Sequence, residues 1–196
     1  MLLFYKNVTD GDDRMFEAAY NMRKFARIVI VVFIIIISDI IGYFSLTYGH
    51  IWGGDFAAYI MQAKSIVNGT INEFLTKNTF TIMNSPLRPG PIAYPWGYPL
   101  LLAIISCFWG FNLMIFKLLN IVCFDIFLVS LFYLFSNKLS FTQNICIVSM
   151  FAFNPSLLKF HDNIMSDIPF LALSTVFMVI LDRVVLRDQV ILSSGI

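Results

Sequence analysis

The stretch IVIVVFIIIISDIIGYFSLTY, from Ile28 to Tyr48, decides the fold class. Its apolar run of about 20 residues, interrupted chiefly by Ser38 and Asp39, would reach roughly 30 Å as a helix, the thickness of a bilayer's hydrocarbon core. It reads as a first transmembrane helix. Arg23, Lys24 and Arg27 stand immediately before it, so the positive-inside rule puts residues 1–27 in the cytoplasm and the far end of the helix outside. A cleavable signal peptide is a poor match, because its core is short and is followed by a small-residue cleavage site.

The composition agrees. Of 196 residues, 59% are hydrophobic, 16% aromatic and only 13% charged, whereas soluble domains run at about 45–50% apolar and 25% charged. A water-soluble enzyme, a nucleic-acid-binding domain and a disordered chain all fit poorly. Thirteen basic and twelve acidic residues leave a net charge of +1, so no polyanion partner such as nucleic acid is indicated. Cys107, Cys123 and Cys146 lie in apolar segments without a short repeated spacing. They read as small hydrophobes rather than a disulfide framework or a metal knuckle.

Three further crossings follow. Leu113 to Phe135 is long enough to return inward, with Ser136, Asn137 and Lys138 after it. Phe141 to Phe160 would run outward, although Gln143, Asn144, Asn154 and Pro155 interrupt it. Asp167 to about Leu181 would run inward, with Arg183 and Arg187 able to snorkel at its inner end. Tyr98 to Phe111 is about 14 residues, roughly 21 Å as a helix, and too short to cross, so after the Pro-rich stretch before it (Pro86, Pro89, Pro91, Pro95, Pro99) it reads as a helix lying in the interface or dipping into it. The four-span reading places Lys6, Arg14, Arg23, Lys24, Arg27, Lys138, Arg183 and Arg187 inside, against Lys64, Lys77, Arg88 and Lys159 outside. The expectation is an all-α, multi-pass integral membrane protein with about four transmembrane helices plus amphipathic juxtamembrane helices in a long first extracytoplasmic loop.

Spans one and two are separated by an outer loop, about residues 49–112, too long for a mere connection. Within it, Phe56, Tyr59, Ile60, Ala63, Ile66 and Val67 recur at helical spacing and stop before Gly69, predicting an amphipathic helix on the membrane surface. Asp55 sits at its start, either capping the helix or projecting a carboxylate into a cleft, with Tyr59 one turn on along the same face. Asp167 is placed at the same outer face, as a cap of the fourth span or as a second site carboxylate. Lys117 lies about one turn below the outer surface with Asn120 three residues on. It either snorkels to the headgroups or faces a watery cavity suited to a lipid-linked phosphate. Asp39 and Asp125 lie near the midplane, at depths differing by about 6 Å. His161 and Asp162 read as an ordinary interfacial loop, and Asn68-Gly69-Thr70 as a glycosylation sequon on the outer side.

The order Gly54-Asp55 with Tyr59, then Pro95-Trp96-Gly97-Tyr98-Pro99-Leu100-Leu101, then Phe108-Trp109-Gly110-Phe111 with Lys117-Leu118, then Ser166-Asp167-Ile168-Pro169-Phe170 resembles the N-terminal half of the GT-C glycosyltransferases. The likeness covers about residues 28–185 and is greatest to the branch holding protein O-mannosyltransferases and lipid A aminoarabinose transferases. It implies an enzyme of the plasma (inner) membrane that moves a sugar from a polyprenyl- or dolichyl-phosphate donor to a hydroxyl of a lipid, glycan or protein acceptor at the extracytoplasmic face. By that resemblance Asp55 and Asp167 are the catalytic carboxylates, Lys117 and Arg88 meet the donor phosphate, and Tyr59 and Asn120 position substrate. Phe56 stands where several members carry a second acidic residue, so no metal ligand is assigned, a divalent metal is only weakly supported and no other cofactor is implied. Members commonly have around ten or more spans. The resemblance therefore leads one to expect the N-terminal portion of such an enzyme, inactive by itself.

The competing reading is a non-enzymatic membrane protein, a transporter subunit or lipid-binding accessory factor using Asp39, Lys117 and Asp125 as an intramembrane polar site. The long outer loop argues against it. Single-cysteine variants at Ser85 and Ser136 check the sidedness: an impermeant thiol reagent added to intact cells should label position 85 and spare position 136. Equal labelling of both would overturn the topology.

Overall fold

The computed structural model describes residues 2–50, 55–86 and 90–193, with side chains at 22, 24–50, 55–86 and 90–185. Among the described residues the chain forms eight helices and no strand. They are α1 (Leu2–Phe44), α2 (Asp55–Val67), α3 (Ile71–Met83), α4 (Gly97–Trp109), α5 (Leu113–Phe135), α6 (Phe141–Ala152), α7 (Pro155–Phe160) and α8 (Asp167–Ser193). Three stretches are long and apolar enough to cross a membrane: Lys24–Phe44 of α1, the whole of α5, and Asp167–Val185 of α8. The polar first 27 residues are not a separate element. The first proline of the chain is Pro86, and the helix runs unbroken from the charged segment into the apolar one.

The segment read as one crossing from Phe141 to Phe160 is two helices. Ser140 and Gln143 form a capping box that starts α6, so Gln143 is a start signal rather than an interruption. Asn144 is buried and donates to the Phe132 carbonyl at 2.9 Å, tying α6 to α5. Pro155 lacks an N–H and would crowd the carbonyl four residues back, so a continuous helix fails there. Asn154 instead caps α7, accepting from Ser156 and Leu157.

Contacts along these helices fix their directions. Going up α1, Arg27 lies over the Phe141 ring, Ser38 donates to the Ala152 carbonyl, and Thr47, just past the helix end, meets Asp162. The α6–α7 pair therefore runs alongside α1 in the same direction, between the same two ends. At one end Lys138 pairs with Asp182 at 2.5 Å, and at the other Lys117 pairs with Asp162 at 2.7 Å. Thus α5 and α8 run parallel to each other and opposite to α1. Phe124, Leu128, Val148, Ala152 and Ile168 fill the centre, while Phe33, Phe170, Leu173 and Phe177 face outward and are more than half exposed. Outward faces of that kind suit hydrocarbon rather than water.

Three helices lie between α1 and α5: the one expected from the spacing after Asp55, the short one expected from about Tyr98 to Phe111, and between them α3, which the spacing does not suggest. The end of α2 is a Schellman turn: Thr70 N–H reaches the Ser65 carbonyl at 2.8 Å, Gly69 N–H reaches Ile66 at 3.2 Å, and Gly69 takes φ +68. The apolar face of α2 is not spent on a membrane surface. Tyr59, Ile60 and Ala63 pack with Tyr98, Leu102 and Ala103 of α4, with Phe116 and Ile164 closing the cluster. At 13 residues, α4 is too short to cross and packs mainly along α2.

Where α1 approaches the α7–α8 connection, Gly42 lies against His161. A methyl group at position 42 would overlap the imidazole Nδ1, so the absent side chain is what lets the two segments touch. Gly42→Ala should cost about 1–3 kcal/mol of stability, and the loss should shrink in a Gly42→Ala/His161→Ala double variant. Denaturant unfolding in mixed micelles measures both. A cost near zero for Gly42→Ala would mean that this contact is loose.

Candidate functional site

The mouth of the bundle, where α1 ends and α5 and α8 begin, gathers the polar chemistry. Asp55 is the first residue of α2, and its Oδ1 accepts a hydrogen bond from the Tyr94 hydroxyl. Tyr94 is held by its own backbone. Fully buried Gln62, two turns along α2, accepts from the Tyr94 N–H at 2.9 Å and donates to the Tyr94 carbonyl at 3.0 Å. The tyrosine hydroxyl is pushed up to about 12 by burial, then by its bond to Asp55 and the charge there, so it acts as a donor and not as an acid at neutral pH.

An aromatic relay carries the contact toward the second carboxylate. Tyr59 lies 5.0 Å from Tyr94 and 5.3 Å from Tyr98, ring centre to ring centre. Its hydroxyl meets the Ser166 hydroxyl at 3.0 Å, beside Asp167, the exposed first residue of α8. Burial raises the Tyr98 hydroxyl well above its usual range, and the Asp167 charge adds to the effect. Tyr98 donates to Asn120 Oδ1 at 3.4 Å, and Asn120 donates in turn to the Asn163 carbonyl. Asn120 is fully buried and engaged at both ends of its amide, so it braces α5 against α4 and the α7–α8 connection.

Beside this relay lies a charged knot. Lys117 is 1% exposed, and its ammonium donates to the Thr47 carbonyl at 2.8 Å and to Asp162 Oδ1 at 2.7 Å. Thr47 returns two bonds to Asp162, from N–H to Oδ1 at 2.8 Å and from Oγ1 to Oδ2 at 2.6 Å. Partial burial works against the Asp162 charge, but the hydrogen bonds from Lys117 and Thr47 outweigh it and hold the carboxyl below the usual range. A cavity of about 580 Å³ opens here, bounded by Tyr43, Thr47, Tyr48, Asn112 and Lys117. His50 has its ring edge-on to Phe56 at 4.9 Å and lies near enough to Lys117 and Asp162 to feel both charges. Burial and the Lys117 charge lower its pKa, against the opposing pull of Asp162.

No protein-family model, no curated protein and no solved structure matches this chain.

Of the residues singled out in the sequence, Asp55, Tyr59, Lys117, Asn120 and Asp167 all stand at this mouth. Tyr59 bonds Ser166 rather than Asp55, and Lys117 is paired rather than open. Arg88 lies outside the described residues. Among the described residues, no three His, Cys, Asp or Glu side chains are grouped to hold a metal. Asp162 is not the ordinary interfacial residue its loop suggests. A lysine below the membrane surface demands a counter-charge, and that demand was the available signal. Deeper in the bundle, the carboxyl groups of Asp39 of α1 and Asp125 of α5 lie near enough to interact with each other.

The knot gives a pH dependence. The folded pKa of Asp162 lies below its unfolded value, so this stabilisation is complete above about pH 4 and is lost as pH falls through the lower, folded value. Thermal unfolding followed from pH 6 downward should show that loss in the wild type. The acid-dependent part should be smaller in Asp162→Asn, and identical slopes would show that the pair contributes nothing.

Proposed function

We propose that this chain carries the acid–base half of a membrane glycosyltransferase site, moving a sugar from a polyprenyl- or dolichyl-phosphate donor to an acceptor hydroxyl at the extracytoplasmic face. The observation that carries the reading is the convergence at one mouth. Asp55, the Ser166–Asp167 head of α8 and the Lys117 ammonium come from three elements far apart in sequence and are tied together through Tyr94, Tyr59 and Asp162. Charge at the head of an apolar bundle is what a reaction between a lipid-borne phosphate and a water-borne hydroxyl requires.

In this mechanism the acceptor oxygen attacks the anomeric carbon as the bond to the phosphate oxygen breaks. The acceptor's proton passes to Asp55, whose Oδ1 is already steadied by Tyr94. The lipid phosphate leaves with the electron pair, and its charge needs compensation. Two of the three ammonium N–H bonds of Lys117 are occupied, which leaves one for a phosphate oxygen. Because Asp162 already balances that charge, a further cation is needed, and Arg88 is the candidate in the sequence. Inversion at the sugar and the donor class rest on the GT-C resemblance alone. Membrane crossing by α1, α5, the broken α6–α7 pair and α8, with residues 49–112 outside, is supported by the basic-residue asymmetry and by the ion pairs at opposite ends of the bundle.

A second reading is favoured by the nearness of Asp39 and Asp125. Two carboxyl groups close together inside an apolar bundle repel when both are charged, so a proton- or cation-handling membrane protein would use that pair. Ion flux lost in Asp39→Asn, with sugar transfer intact, would select it.

Asp55→Asn separates the roles of cap and base, since Asn still caps a helix. It should leave the protein inserted and folded but slow transfer from a lipid-phosphate donor by about 10²–10⁴. Near wild-type transfer would end the catalytic assignment.

A further inference from the structure

A second large cavity lies apart from the charged knot. It measures about 590 Å³ and runs between α2 and α3 under the chain at Gly90 and Pro91. Its inner wall includes Ala57 and Ala58, two and three residues after Asp55, and Tyr94, whose hydroxyl holds Asp55. Phe74 offers an aromatic surface, braced edge-on by Trp96 at 6.5 Å. Lys64, Asn68 and Thr70 supply polar heads at the rim and are exposed, and the Thr70 side chain makes no capping bond to α3. Other polar groups of the wall are spent internally: Asn78 donates to the Ile92 carbonyl, and Lys77 pairs with Glu73.

We propose that this cleft is the acceptor site, taking a polyhydroxylated molecule, neutral or singly anionic, and presenting one of its hydroxyls past Tyr94 to Asp55. The inference rests on the transferase reading. Three features choose the class. An aromatic face with amide and hydroxyl groups around it suits a sugar ring, whose C–H faces are apolar and whose edges are donors and acceptors. Lys77 and Glu73 cancel, leaving Lys64 as the net charge of the lining, too little for a polyanion. Among the described residues, none of α1, α5 or α8 lines the cleft, so an occupant need not pass between the apolar helices that a lipid donor would approach. Tyr94 is then a positioning residue shared by the cleft and the base. It orients one carboxylate oxygen and leaves Oδ2 to receive the acceptor's proton as the new C–O bond forms.

Binding can be read without turnover. Saturation-transfer NMR on the full chain in nanodiscs, with methyl α-mannoside, methyl β-glucoside and methyl β-N-acetylglucosaminide as probes, should show ring-proton contacts in the wild type and equally in Asp55→Asn. Ala58→Trp, which fills the cleft, should weaken binding at least about tenfold. Should that variant not fold, the exposed pair Lys64→Gln/Asn68→Ala carries the same test with a smaller loss. No saturation transfer to any probe in the wild type, or the same signal after Ala58→Trp, would overturn the acceptor site even if transfer depends on Asp55. Binding that survives in Asp55→Asn while transfer is also unimpaired would sink the catalytic reading and spare the cleft as a sugar-binding site.

Discussion

An ammonium group cannot be left unpaired at membrane depth, and the arrangement of the bundle mouth follows from how that demand is met for Lys117. Its partners come from the two connections that the fold must bring together: Thr47 after α1 and Asp162 before α8. Thr47 also binds Asp162 directly with both its amide and its hydroxyl, so three separate pieces of chain are fastened by one cluster. Removing any member leaves a charge or a carbonyl without its partner in a place poor in water, a far larger penalty than the loss of a surface ion pair. At the same end α8 starts beside Tyr59, and α4 packs along α2. The two carboxylates are thereby brought to the same mouth.

The apolar runs behind α1, α5 and α8 are legible because a helix that faces lipid must be apolar over its full length, and few other structures impose that rule. The interruption at Asn154-Pro155 was equally visible, but its consequence was not. A break within a crossing and a helix end look the same in sequence, and only the packing of α6–α7 against α1 shows that the pair still runs from end to end. Gln143 and Asn144 looked like polar intrusions, yet one starts a helix and the other ties it to α5. Helix α3 escaped because its 13 residues mix Thr, Asn, Lys and Glu with apolar side chains and bury none of them deeply.

The site was legible in its acidic and basic residues and not in its supports. Asp55, Lys117 and Asp167 stand out because charge is scarce in such a chain. Tyr94, Gln62, Thr47 and Ser166 do not, since their types are common and their importance comes from contacts 32 to 115 residues away in sequence. Asp162 falls between the two groups. It is visible as a charge, but its role emerges only once the fold sets it beside Lys117.

The grip of Gln62 on Tyr94 has a consequence for how such a site can be retuned. The amide side chain copies the pairing of a neighbouring strand and holds the peptide of residue 94, not its ring. Both bonds go to main-chain atoms, which every residue but proline would keep at that position. The group that faces Asp55 is therefore interchangeable in a way that the carboxylate's other surroundings are not. A single replacement at 94 would change a donor into an acceptor, a bulky wall into an open one, or a neutral neighbour into a charged one, without moving the helices that carry the base.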